Sequence, residues 1–580
     1  MSGQKFSITT AIDYPNGMPH LGHAYEKTVT DSYARWHRLL GHDVFFLTGT
    51  DENGQNLVKS AEAQGLNTQE FVDRNVAHFK ELCSRLHIAY DEFIRTTEPR
   101  HHAAAHEIWK KLEAEGDIYF GQYEGMYCSN CEAYYTELQA PDGKCPAHYK
   151  PLEKIVEKGY FLKTSQYQKW IIEHIQSNPD FIAPELSRKE TLSRLESEPM
   201  HDLSITRPYK GWGIPVPGKP EYVIYTWFDA LINYYTASQP RGFWPNDVHV
   251  IGRDILWFHS VIWPIMLHAA GLPLPKQIYT HGMVLAADGK KMSKSLGNGV
   301  DPFEVISRVP VDSFRYYLLR AIPSNSNGAF ILTDLFKRHQ AELGNDYGNL
   351  IMRVVKLAIK RGGNTWDGKA GGQSIALQFN FKPLLADMEK FMQKREHHRA
   401  LERLWDEIIA LNKYVNDQAP WGIKEDADET QQKRFKEVIY NALYGIDVVS
   451  QLMTAFLPTV PHLALKALGV SEKTLNLEPK TYQLSEPEVP FPRFPRFWDV
   501  KDARTIDAEG QYVKGEFAVT LTNTQGGEFT IQTKDAEKFT KQFEAQVKKF
   551  QIKEDELFFF KGKFHQSLAS LPSLIVELQR

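Results

Sequence analysis

The stretch PNGMPHLGHAY, Pro15 to Tyr25, directly follows the alternating segment KFSITTAI, Lys5 to Ile12, and its reading decides the fold. Alternation of apolar and polar residues predicts a strand, and GHAYEKTVTDSYARWHRLLG after it carries the longer period of a helix. His20 and His23 therefore stand where a strand hands over to a helix. A helix N-terminus after a parallel strand offers unpaired N–H groups and the positive end of its dipole, which attract phosphate. Two imidazoles at i and i+3 share one helix face, and Gly22 between them would let a ligand approach the backbone. Taken alone, the pair reads better as a chance occurrence in a turn.

Working outward, DVFFLTGTD, a second helix running to RLHIAY, and DEFIRTT continue the alternation expected of parallel βαβ units. Residues 1–117 form the first half of this α/β domain. Residues 118–221 are richer in Tyr, Cys, Gly and Pro and read as an insertion. The strand-like EYVIYTW and DVHVIG, the helical ILWFHSVIWPIMLHAAG and the strand-like KQIYTHGMVL then restore the α/β rhythm over 222–290. After a connecting segment, 291–332, long amphipathic helices occupy 333–497 and suggest a helical bundle. The extension 498–580 contains GEFAVTLTNTQGGEFTIQT, expected to form a β-hairpin turning near Gly526 and Gly527.

Composition narrows the classes of function. A chain of 580 residues exceeds one ordinary core and predicts several domains. No apolar run reaches the roughly 18 residues of a membrane span, and MSGQKFSITT lacks a signal-peptide core, so a cytoplasmic protein without membrane contact is expected. With 68 Lys+Arg against 72 Asp+Glu, the net charge of -4 excludes a general attraction for nucleic acid; any such partner must be held by local patches. Four cysteines are too few for a disulfide framework, yet Cys128, Cys131 and Cys145 crowd one segment with His148, in the pattern CxxC then CxxH. Three thiolates and an imidazole make a closed tetrahedral site for one structural Zn2+ per chain, with no open position for water. Reduced spectator cysteines are the alternative. Cys83, in ELCSRLHI, reads as a buried helix residue.

The segment DGKKMSKSLGN, Asp288 to Asn298, brings lysines at 290, 291 and 294 and hydroxyls at 293 and 295 between glycines, a loop able to close on a polyphosphate. Together, HLGH and KMSKS resemble the two ATP-binding motifs of class I aminoacyl-tRNA synthetases. AIDYPNGMPHLGHAY, FLTGTDENGQN, YVIYTWFDALINYY, IGRDILWFHSVIWPIML, KMSKSLGN and QAPW, in this order, resemble the blocks of the methionyl-tRNA synthetase family over about residues 5–497. One departure is Asn53 in GTDENG, where that family commonly has histidine.

The resemblance implies an α/β fold: a Rossmann-like catalytic domain split by a zinc-knuckle connective insertion, a KMSKS loop with a stem-contact segment, and an α-helical anticodon-binding bundle. It implies a methionine–tRNA ligase, whose partners are L-methionine, ATP with Mg2+, and tRNA(Met), initiator tRNA included. His20, His23, Lys291 and Lys294 would be catalytic, and Gly22, Gly252 and Asp254 would join them in binding ATP. The methionine pocket would comprise Ala11, Ile12, Tyr14, Asp51, Trp227, Leu231, Tyr234, Phe258, His259 and Trp263, with Asp51 pairing the substrate ammonium and aromatic rings around the thioether. The same aromatic residues also suit a plain helical core. Asn349, Arg353 and Trp421 would face the anticodon by edge hydrogen bonds and stacking. The extension does not resemble the OB-fold module through which some relatives dimerise, so a monomer is expected. Synthetases for leucine, isoleucine or valine carry a much longer insertion. A small nucleotidyltransferase would not need the bundle, and a non-catalytic paralogue should have lost some of the histidines and lysines retained here.

Overall fold

The computed structural model describes residues 3–128, 133–135, 140, 142–145, 150–292, 298–471, 473–488 and 491, and the backbone of five further strands between 506 and 575. The chain divides into two compact units, Met1–Gly282 and Met283–Arg580.

The strands of the first unit are β1 (Lys5–Thr10), β2 (Asp43–Thr50), β3 (Glu92–Arg95), β4 (Ile118–Cys128), β5 (Ala133–Tyr135), β6 (Glu153–Leu162), β7 (Ile182–Ala183), β8 (Leu203–Ser204), β9 (Thr206–Pro208), β10 (Pro215–Val216), β11 (Lys219–Ile224), β12 (Val248–Gly252) and β13 (Gln277–His281). Its helices are α1 (Leu21–Leu39), α2 (Gln55–Glu62), α3 (Thr68–Arg85), α4 (Pro99–Ala114), α5 (Gln168–Ser177), α6 (Glu185–Ser197), α7 (Thr226–Ser238) and α8 (Trp263–Ala269). A parallel sheet runs β3-β2-β1-β12-β13-β7. Phe6 to Thr10 are all buried, as a strand covered on both faces requires. The chain leaves β1 towards β2 on one side, and β12 lies on the other. At such a reversal open α/β sheets bind ligands in a crevice beyond the carboxyl ends of the strands.

Three local expectations change. The second helix is two, α2 and α3: Gly65 turns the chain at φ +67°, and the Asn67 side chain accepts from the Glu70 N–H at 2.8 Å to start α3. The strand within EYVIYTW does not join the parallel sheet; β11 pairs antiparallel with β9 and β10. Only Val223 and Ile224 of that strand are buried, which suits a sheet solvated on one face rather than one covered on both. The segment KQIYTHGMVL divides, with Gln277–His281 completing the parallel sheet and Val284–Leu285 pairing with Gly328–Ala329 in the second unit.

Within residues 118–221, β5-β4-β6-β8 form a separate antiparallel sheet. The later part returns to the parallel sheet, because β7 adds its outermost strand. Ile171 and Ile175 of α5 and Leu195 of α6 pack with Ile182, Ile251, Ile265 and Ile278 on one face. The other face buries Leu47, Ile94, Trp109, Phe228, Ile232 and Met266 between α4 and α7.

The second unit is mainly helical: α9 (Pro302–Arg308), α10 (Val311–Ala321), α11 (Leu332–Arg338), a π-helical stretch His339–Gly348 that runs into α12 (Asn349–Gly362), then α13 (Lys382–Gln393), α14 (His397–Gln418), α15 (Glu429–Met453) and α16 (Val460–Leu468). In α14 the buried Leu401, Leu404, Ile408, Leu411 and Val415 recur at three- and four-residue spacing, one apolar stripe facing inward. In the extension, Glu516–Thr522 and Glu528–Thr530 form the expected hairpin, and Ile506–Val513, Leu557–Gln566 and Pro572–Ile575 extend it to a five-stranded antiparallel sheet.

Candidate active site

The turn after β1 and the start of α1 carry the two histidines. His20 is the N-cap of α1 in an extended backbone conformation, and its Nδ1 accepts from the Gly22 N–H at 3.1 Å. The His20 N–H donates to His23 Nδ1 at 3.0 Å, so two imidazoles form a reciprocal capping box. Their rings stack at 3.7 Å. Since each Nδ1 is an acceptor, each neutral ring carries its proton on Nε2. Burial, with His20 and Lys27 nearby, pushes the His23 pKa well down, so this ring is a neutral donor at physiological pH. Gly22 has a nearer reason to be glycine than ligand access: a Cβ there would meet His20 Cε1 at 2.9 Å.

Beneath the histidines lies a buried ionic chain that no motif announced. Lys27, 1% exposed, stands 2.9 Å from Asp13 Oδ2 and also donates to Asp13 Oδ1 at 3.0 Å and Thr10 Oγ1 at 3.2 Å. Glu26 lies 3.7 Å from Lys27 and 3.1 Å from His281 Nε2. Burial works against the Lys27 ammonium, but the carboxylates of Asp13 and Glu26 outweigh it and hold its pKa above the ordinary lysine value. Burial likewise works against a charged His281, and its hydrogen bond to Glu26 reverses that. Burial raises Asp13 to about 6, against the pull of Lys27.

The crevice floor is aromatic. Trp227 on α7 stacks on Phe258 at 4.2 Å with rings 4° from parallel. Tyr234 Oη lies 2.8 Å from His259 Nε2, and His259 Nδ1 lies 3.0 Å from the Ile255 carbonyl. A donated Nδ1–H to that carbonyl makes Nε2 the acceptor of the tyrosine hydroxyl. Burial brings the His259 pKa down to about 4, which keeps the ring neutral. Phe258–Ile262 form a π-helical turn, a local widening that recurs at functional sites and that sequence periodicity did not reveal. Trp263 and Leu231 are buried beside these rings, while Trp227 and Phe258 remain half-buried. Ala11 and Ile12 pack from the β1 end against opposite faces of the sheet. Tyr14 rests against Gly54, where a Cβ would lie 2.1 Å from its hydroxyl.

Asp51 is partly exposed and accepts from the Thr226 hydroxyl at 3.0 Å. Behind it, Asp229 is fully buried; burial and the neighbouring Asp51 push its carboxyl well above the usual range. Asn53 donates to Asp229 Oδ2 at 2.6 Å and to the Thr96 carbonyl at 3.2 Å, so this departure from the family pattern ties α7 to the chain after β3. Gly252 and Asp254 close the β12 end, where a Cβ on Gly252 would lie 2.6 Å from Asp254 Oδ1.

A model of the class I tRNA synthetases of the methionine type matches residues 6–154 and 148–355. The methionine–tRNA ligase of Caldanaerobacter subterraneus subsp. tengcongensis is 39% identical over 481 residues, 80% of this chain and 74% of that protein. The Bacillus subtilis methionine–tRNA ligase is 38% identical over 497 residues, 81% of this chain and 74% of that protein. The structure of Mycobacterium tuberculosis methionyl-tRNA synthetase in complex with methionyl-adenylate superimposes with a TM-score of 0.78 at 35% identity, covering 84% of this chain and all of that one.

The chain belongs to the methionyl-tRNA synthetase family. Three of the residues expected from that family, Lys294, Cys131 and His148, lie outside the described residues. Lys291, three residues before Lys294, is exposed and bridges Leu285 in the second unit. Cys128 and Cys145 are buried, 3% and 0% exposed, in one small cluster with Ala140 and Leu152. Among the described residues no set of three possible metal ligands gathers, half of the expected tetrad being outside them. In the second unit Arg353 lies 5.3 Å from the centre of the Trp421 ring and donates to Asn416 Oδ1 at 2.7 Å and Asn412 Oδ1 at 3.3 Å. Trp421 is 49% exposed and Asn349, at the start of α12, is exposed, so neither is a core residue.

Proposed function

We propose that this chain activates L-methionine with ATP to methionyl-adenylate and transfers the methionyl group to the 3′ end of tRNA(Met). The observation that carries this reading is the crevice at the β1–β12 reversal, where two Nε2–H imidazole donors, one carboxylate and a stacked aromatic floor lie in one unit. The methionine carboxylate is already ionised, so no general base is needed; positioning and charge stabilisation carry the chemistry. His20 and His23 donate to phosphate oxygens as charge develops, and Lys291 with Lys294 holds the leaving pyrophosphate. Mg2+ accompanies ATP as its counter-ion. Asp51 takes the substrate ammonium, and Trp227, Phe258, Tyr234 and Trp263 surround the thioether with Leu231, Tyr14, Ala11 and Ile12. His259, kept neutral, presents no charge to an apolar side chain. Gly252 and Asp254 receive the adenosine.

Cys128, Cys131, Cys145 and His148 would hold one structural Zn2+ within a connective insertion, residues 118–221, between catalytic halves 1–117 and 222–290. The pair of buried thiols supports the donor set. Residues 291–332 form the KMSKS and stem-contact segment. Residues 333–497 read the anticodon through Asn349, Arg353 and Trp421, beside a hollow of about 510 Å³ lined in part by Ala419, Gly422 and Arg434. A monomeric, cytoplasmic enzyme fits these parts, and among the described residues no helix is long and apolar enough to cross a membrane. Methionine-dependent exchange between ATP and pyrophosphate tests the reading. Exchange that depends on another amino acid, or none at all, overturns it.

A further inference from the structure

The Asp13–Lys27 pair lies directly beside the histidine turn. Asp13 is 6% exposed, its N–H donates to the Gly49 carbonyl at 2.9 Å, and its own carbonyl accepts from Asp51 N–H at 2.8 Å. One residue thus links the histidine turn to the segment that carries Asp51. Its carboxylate Oδ1 lies 3.9 Å from His23 Nε2, the nitrogen that bears the proton. That separation exceeds a hydrogen bond but is short enough for a carboxylate to orient an N–H dipole at low local dielectric. Phe79 meets the His23 ring edge-on at 5.1 Å, so the imidazole has packing on one flank and charge on another. A buried ion pair costs desolvation and is weak evidence for stability, so its presence beneath a functional turn calls for a positional account.

We propose that Asp13 and Lys27 are positioning residues for adenylate formation: Lys27 holds the Asp13 carboxylate at the end of β1, and that carboxylate fixes the direction of the His23 Nε2–H. The inference rests on the function proposed above. Before phosphate arrives, the Asp13 charge keeps the His23 proton on Nε2 and the ring in one orientation. When the α-phosphate arrives, the same Nε2–H turns to it with little reorganisation. Lys27 also reaches Thr10 Oγ1 and, at 3.4 Å, the Ala11 carbonyl, so it ties the strand end that borders the amino-acid pocket to the same point.

The groups around Asp13 are His23, Glu26 and Lys27 on α1 with His20 at its N-cap, Cys83 on α3, and His281 on β13 through Glu26. Burial pushes the Cys83 thiol up to about 12 and the His23 pKa well down, so neither changes charge near pH 6, while against burial the Glu26 hydrogen bond raises His281, so its change of charge lies above that of Asp13. Asp13 titrates at about 6. Its carboxylate, and with it the orientation of His23, is present above that pH and lost below it.

The test compares wild type, Asp13→Asn and the double variant Asp13→Asn with Lys27→Met in methionine-dependent ATP–pyrophosphate exchange across pH 5 to 8.5. Asparagine keeps the shape and an acceptor for Lys27; the double variant removes both charges together and avoids an unpaired buried ion. The expected result is an acid limb near pH 6 in wild type. In both variants that limb should be absent, kcat should be lower by about 10- to 100-fold, and the KM for methionine should stay within about threefold. Wild-type kcat with an unchanged acid limb in either folded variant overturns the proposal. So does failure of both variants to fold, which would make the pair structural. No exchange in the wild type itself counts against the underlying function and is thereby distinguished.

Discussion

Replacing Trp421 by alanine should separate the two halves of the reaction. The ring is 49% exposed, lies on the short turn Pro420–Gly422, and has Arg353 5.3 Å from its centre. Full burial of a tryptophan would make its removal cost about 3 to 5 kcal/mol. At half exposure, about 1 to 2 kcal/mol is expected, which a domain stable by about 5 to 15 kcal/mol survives. The Arg353 contact contributes about 0.5 to 1 kcal/mol of that. Arg353 keeps its bonds to Asn412 and Asn416, so the neighbouring surface stays in place. A lost base stack costs about 1 to 3 kcal/mol, or about 5- to 150-fold in charging efficiency. The assay is aminoacylation of full tRNA beside ATP–pyrophosphate exchange, with a minimal acceptor-stem substrate as control. Charging of the full tRNA should fall, while exchange and minimal-substrate charging hold. If exchange falls with charging, Trp421 is a packing residue; if neither falls, the anticodon is read elsewhere.

Gly22→Ala places a Cβ 2.9 Å from His20 Cε1, so it should break the His20 cap and lower the adenylation rate by about 10² at nearly unchanged methionine affinity, measured by single-turnover kinetics. Lys294→Ala, and more weakly Lys291→Ala, should slow adenylate formation by up to about 10² to 10³ without weakening methionine binding; unchanged adenylation would remove them from the mechanism. Elemental analysis should find one zinc per chain, lost in Cys145→Ser, and metal-free wild-type protein would contradict the ligand set. Asp51→Asn should raise the KM for methionine far more than that for ATP, because only the amino acid brings an ammonium to that carboxylate.

Much of this architecture was legible because one motif, HLGH, sits at a forced place in the topology. A strand, a tight turn and a helix that opens at HLGH predict β1–α1 with the two histidines at the handover; that they cap the helix for each other carried no sequence signal. The buried aromatic set was legible only through family likeness, since helical spacing alone fits core and pocket equally. The two-residue strand Ile182–Ala183 was hidden because its pairing comes from the sheet edge it meets, not from any run of its own. The strand in EYVIYTW was misplaced because alternation does not distinguish a parallel partner from an antiparallel one. Asp13 and Lys27 carry no local signal: fourteen positions of chain separate them, and only the fold of α1 back over β1 makes them a pair. The link from Asn53 to Asp229 was invisible for the same reason, its partners lying 176 residues apart.

The most direct test of the account is aminoacylation of unfractionated tRNA with ATP and each of methionine, leucine, isoleucine and valine in turn. The stacked Trp227 and Phe258, the neutral His259 and the Asp51 carboxylate predict ATP-dependent charging by methionine and essentially none by the branched amino acids. Charging by leucine, isoleucine or valine at a comparable rate, or no charging by methionine, would contradict it.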